Sequence, residues 1–153
     1  MRIKRYCAFL LALTFALGLA LSLFGCHVVN KKPLFEYLGE DALAFADAFR
    51  NEGALSLTVR YDGEASGEPY TTKDEQTILA AFNALDNMIV ISDGGSGHTD
   101  DYLVYYFEMH DGSYFYFNFQ KGYYLTDRME LIGITGFDEL ITAFPPQSED
   151  FSS

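Results

Sequence analysis

Cysteine and basic side chains are what this chain has least of. Its 153 residues hold two cysteines, Cys7 and Cys26, and both fall in the first 26 positions. Nothing after Cys26 can form an internal disulfide or supply a catalytic thiol, so a domain there must rest on its hydrophobic core. Lys and Arg number 10 against 22 Asp and Glu. Without residues 1–25 the balance is 7 basic against 22 acidic, a net −15. Phosphate backbones are bound by neutralising cations, so nucleic acid is excluded as a partner. Lying flat on an anionic bilayer needs a basic face and is excluded on the same ground. An acidic surface does keep an exported domain soluble. Aromatics make up 16 % of the chain, enough for a buried core.

The charges that are present divide the chain. Arg2, Lys4 and Arg5 precede an uncharged run of 19 residues, from Tyr6 to Phe24. A basic start and a long apolar run read as an export signal. The run is also long enough to span a bilayer as a helix, so a retained membrane anchor is the other reading. The run ends in Leu23-Phe24-Gly25-Cys26. This tetrapeptide resembles the bacterial lipobox: an aliphatic residue, a tolerant position, a small residue, then cysteine. The resemblance implies that residues 1–25 are a signal peptide removed by a dedicated peptidase. It further implies that Cys26 carries a diacylglyceryl group and palmitate-type acyl chains. Two chains on one residue supply the double anchor that one chain cannot. Either reading places the rest at the cell membrane on its extracytoplasmic face, because the basic end stays inside. Residues 26–32 would be the lipidated tether.

Residues 33–145 carry the periodicities of one folded domain, and residues 146–153 read as a polar, frayed tail. Residues 33–49 have helical spacing with Gly39 as a weak point. Ala54 to Tyr61 alternates as a half-buried strand. Asp62 to Tyr70 reads as a loop. Thr72 and Glu75 form a capping box for a helix presenting Ile78, Leu79, Phe82 and Leu85. Met88 to Ser92 is a short strand, and Asp93 to Asp101 a glycine-rich loop. Strands follow at 102–110, 113–120, 123–126 and 129–134. A last helix opens at Thr135 or Gly136 and stops at Pro145-Pro146. The predicted class is α+β, an antiparallel β-meander sheet packed on one face by about three helices and preceded by the signal helix. This order of lipobox, Thr-x-x-Glu helix, Asp-Gly hairpin and closing helix is similar to small lipoproteins of Gram-positive gut bacteria. That resemblance implies no activity.

Asp111-Gly112 lies between two aromatic runs, a strong hairpin signal. A two-residue turn there predicts that residues whose numbers sum to 223 face each other. Val104, Tyr106, Phe115, Phe117 and Phe119 then form the core face, on which Glu108 sits awkwardly. Leu103, Tyr105, Phe107, Met109, Tyr114, Tyr116 and Asn118 form the other. Tyrosine suits surfaces that are half apolar and half wet. Tyr105, Tyr114, Tyr116 and Asn118 are therefore the candidate binding face for a protein, peptide or glycan, unless helices cover it.

Catalytic and cofactor patterns are missing. His98, Asp100, Asp101, His110 and Asp111 are close in sequence, but eight residues of strand hold the two histidines about 26 Å apart. Asp93 to Asp101 lacks calcium-loop spacing, and Gly94 to Gly97 lacks the ending of a phosphate loop. No nucleophile elbow surrounds Ser92 or Ser96. The expectation is a binding module without cofactor or metal. The alternatives are a small extracytoplasmic hydrolase and a structural envelope accessory.

Overall fold

A computed structural model describes residues 31–62, 68–96, 102–120 and 122–145. The expected signal peptide with Cys26, the loop residues His98, Asp100 and Asp101, and the 146–153 tail lie outside the described residues. The elements run β1 (Lys32–Pro33), α1 (Leu34–Leu38), α2 (Glu40–Glu52), β2 (Ser56–Asp62), β3 (Tyr70–Thr72) and α3 (Glu75–Asp86). They continue with β4 (Ile89–Ser96), β5 (Tyr102–Glu108), β6 (Tyr114–Gln120), β7 (Tyr123–Leu125), β8 (Glu130–Ile134) and α4 (Phe137–Ala143). The strands form one eight-stranded sheet in the order β1-β4-β8-β7-β6-β5-β2-β3, antiparallel at each described pairing. The α+β expectation holds, and β5 to β8 make the meander. Four helices replace the expected three because Gly39, at φ +96°, breaks the first helix into α1 and α2.

Three local expectations change. Lys32, assigned to the tether, opens β1 opposite Val90. Thr72 does not cap α3, since it pairs with Leu57 as the last residue of β3. Asp74 caps instead: its Oδ2 accepts the Thr77 N–H at 2.9 Å and the Thr77 hydroxyl at 2.6 Å. These bonds hold its carboxyl below the ordinary 3.8. Finally, β4 runs on through Gly94 and Gly95 to pair with β8, where a loop was expected. Register shifts let it do so, and Gly133 of β8 leaves room for the Ser92 hydroxyl.

The largest correction concerns the β5–β6 hairpin. Facing residues sum to 222, as in Phe107 opposite Phe115 and Tyr105 opposite Phe117. The loop has three residues, His110, Asp111 and Gly112. Gly112 N–H donates to Met109 O at 3.0 Å, and Met109 N–H donates to Ser113 O at 2.9 Å. Gly112 alone takes a left-handed φ, +83°. This is a type I turn closed by a glycine bulge, the usual form of a three-residue hairpin loop. A one-residue slip turns one strand over relative to the other. Leu103, Tyr105 and Phe107 therefore share a face with Phe115, Phe117 and Phe119.

That face receives all four helices. Phe45 of α2 is fully buried, and its ring meets those of Phe35, Phe49, Phe82, Phe107, Phe115 and Phe117 at 4.8–6.1 Å. Phe49 stacks flat on Phe82 of α3 at 3.9 Å. Arg50 ties the two helices over that stack through Asp86 at 2.7 Å. At the other end of the sheet, Phe119 meets Phe137 of α4, and the chain after α4 crosses back so that Phe144 stacks on Tyr70. Truncating Phe45→Ala should cost about 3–5 kcal/mol. Gly112→Ala should cost about 1–2 kcal/mol, because a Cβ opposes left-handed backbone. Urea unfolding midpoints at unchanged slope would measure both.

Candidate functional site

The side chains that point away from the helices alternate along each strand, and the register aligns them in rows. One row holds Ser56, Glu108 and Tyr114. The next holds Thr71, Thr58, Tyr106 and Tyr116. A third holds Arg60, Val104, Asn118, Leu125 and Leu131. A fourth holds Asp62, Tyr102, Gln120 and Tyr123. None of these residues belongs to the core that the helices close.

Of the candidate face, Tyr114, Tyr116 and Asn118 lie here, and Tyr105 does not. Tyr105 is completely buried on the helix side, where its hydroxyl donates to the Phe144 carbonyl at 3.0 Å. Tyr106 takes its place. The expected core members Val104 and Tyr106 point to this side of the sheet, where Val104 is nonetheless buried, and the expected open-face members Leu103, Phe107 and Met109 are in the helix-side core. The shift of one residue accounts for each exchange. It also explains Glu108, which faces outward beside tyrosine and accepts from Ser56 at 2.7 Å and from Tyr114 at 3.1 Å. Those two hydroxyls hold its carboxyl below the ordinary range.

Tyr114, Tyr116 and Tyr123 are 63 %, 51 % and 45 % exposed, high values for rings on a strand. Tyr106 is half-buried between two neighbours. Its ring lies 6.1 Å from that of Tyr116, and the Arg60 guanidinium sits over it at 5.5 Å. Arg60 is anchored by Asp62 at 2.6 Å, which also raises its own pKa. Two atoms on the face stay without a hydrogen-bond partner, Arg60 Nε and Gln120 Oε1. One is a donor and the other an acceptor. The face thus combines tyrosine rings, one stacked cation, a bonded carboxylate and unsatisfied polar atoms.

Arg60, Tyr106, Glu108 and Gln120 were not named from the sequence, although a signal for them exists. Glu108, Asn118 and Gln120 are all even-numbered, and only an even sum of facing residues puts them on one face. His110 is exposed in the hairpin loop, and Asp111 accepts from the Ser113 N–H and hydroxyl. Among the described residues, no group of three His, Cys, Asp or Glu could hold a metal ion. Likewise, no described helix is long and apolar enough to cross a membrane. No family model, no curated protein and no solved structure matches the chain.

Burial pushes the Tyr105 hydroxyl well above its ordinary 10.0, and burial together with the nearby Asp127 charge does the same for Tyr124. The folded chain keeps these protons where the unfolded chain releases them. Their contribution is complete below pH 10 and is lost as pH rises through the folded values. Alkaline unfolding followed by tyrosinate absorbance should show both ionising only as the fold opens. Tyr105→Phe strands the buried Phe144 carbonyl and should cost about 1–3 kcal/mol in urea unfolding.

Proposed function

We propose that this chain is an extracytoplasmic lipoprotein, held at the cell membrane through Cys26, whose domain recognises a protein, peptide or envelope glycan with the open tyrosine face of its sheet. The observation that carries the reading is the Arg60–Tyr106–Tyr116 stack, flanked by exposed Tyr114 and Tyr123. Tyrosine gives large contact area at low entropic cost and keeps a hydroxyl for polar partners, which is why it concentrates at recognition surfaces. The rings suit peptide side chains and the apolar faces of sugars equally. Anchoring supports the reading as well. β1 begins at Lys32, so few residues separate it from Cys26, and the domain would work close to the lipid surface.

Two measurements test the two halves. Capture from solubilised envelope with the full-length chain should lose its specific partner by about tenfold or more in a Tyr106→Ala/Tyr116→Ala variant. Equal recovery by a variant that keeps its circular dichroism would reject the face. Cys26→Ala should abolish fatty-acid labelling and release the protein from membranes. Unchanged mass and membrane retention would reject the anchor.

A further inference from the structure

The sheet has a notch in its middle. Strand β7 covers only Asn118 to Gln120 of β6, and the chain then turns away through Thr126–Glu130. Tyr114 to Phe117 are left with no strand beside them on that side among the described residues. The hairpin fixes where their peptide groups point. Met109 N–H bonds Ser113 O, so the odd-numbered residues of β5 and β6 bond one another. The Tyr114 and Tyr116 peptide groups must therefore point the other way, as those of Asn118 and Gln120 do toward β7. No described group bonds them. The outer edges of the sheet are blunted, one by Pro33 in a two-residue strand and the other by the three-residue β3. The notch has neither protection.

A groove of about 550 Å³ runs along this free edge. Leu38, Asp41 and Ala42 wall it on the helix side, and Asp127, Arg128 and Glu130 wall it on the turn side. A continuation of the groove reaches Ala44 and Tyr114. We infer that the groove takes an extended peptide segment, alternately basic and aliphatic, which adds to β6 as the strand that β7 fails to supply. The inference rests on reading the domain as a binding module. Two free peptide groups select an extended backbone, the chemistry of strand addition. Incoming residues opposite Phe115 and Phe117 would turn toward Leu38 and Ala42, where aliphatic side chains fit. Those opposite Tyr114 and Tyr116 would turn outward beside Asp127, where cations fit. Three carboxylates against one arginine set the sign of the groove. A second copy is disfavoured, because the chain carries −12 and the edge lies recessed between two walls.

The test uses the full-length chain in detergent micelles and a fluorescein-labelled, capped heptapeptide of alternating Lys and Val. The peptide should bind and slow amide exchange at Tyr114 and Tyr116. Ala44→Trp, at an exposed helix position that fills the groove, should weaken binding about tenfold or more. N-methylating alternate peptide nitrogens, or replacing Lys by Glu in the peptide, should do the same. Leu79→Ala, exposed on α3 and outside both the groove and the tyrosine face, should change it little. Absence of binding at millimolar peptide would overturn the inference, as would equal binding by the N-methylated form. Self-association abolished by Ala44→Trp without peptide binding would also overturn it, in favour of a second copy. If the peptide fails while capture through Tyr106 and Tyr116 persists, the groove falls and the tyrosine-face reading stands. If the peptide binds as described while that double variant changes no capture, the groove stands alone.

Discussion

The structure depends on how tightly the β5–β6 loop turns. Gly112 in a left-handed conformation closes a three-residue loop, and that loop puts Phe107 opposite Phe115. Every later pairing in the hairpin follows, because side chains on a strand alternate with a period of two. With this register the odd-numbered aromatics of both strands face the helices together. With a loop one residue shorter, Tyr114, Tyr116 and Asn118 would have to face Phe45 in their place. Burying those hydroxyls and that amide without partners would be costly.

The helix side then closes around a cluster of aromatic rings set among aliphatic side chains. Phe45 stands at its centre, and Phe35, Phe49, Phe82, Phe107, Phe115 and Phe117 surround it in tilted, edge-on or stacked pairs. Rings packed this way gain from their quadrupoles as well as from area removed from water. This suits a domain without a described cysteine, which has to draw its stability from packing alone. The Tyr105–Phe144 hydrogen bond adds direction to the packing, since it holds the end of the chain's last helix against the centre of the sheet.

Because all four described helices take one side, the opposite side of the sheet keeps its tyrosines exposed, and it is this side that we propose as the recognition face. Its polar groups are arranged in bonded sets, Ser56–Glu108–Tyr114 and Asp62–Arg60–Tyr106. Such sets hold long side chains in one conformation, which would lower the entropy lost if the proposed partner bound there. The notch beside β6 joins this face at Tyr116, so the two surfaces share a border.

The order of the elements was legible in the sequence because it rests on local signals: helical spacing in 75–86, alternation in 56–62, aromatic strands on both sides of Asp-Gly, and prolines after the last helix. The lipobox-like tetrapeptide and the acidic balance are also local, and the expected address and the expectation of no nucleic-acid partner rest on them. The short strands β1 and β3 left no such signal, since two or three residues carry no periodicity. The faces of the hairpin were not settled locally either. Asp111-Gly112 fits a two-residue or a three-residue loop, and in an aromatic strand both faces look apolar. Glu108, Asn118 and Gln120 hinted at the answer by sharing parity, but their weight is felt only when helices seal the face opposite them. The sequence by itself therefore determined that a tyrosine-rich hairpin would form. Tertiary packing decided that Tyr105 is core and Tyr106 is surface, because burial compares whole faces and not single residues.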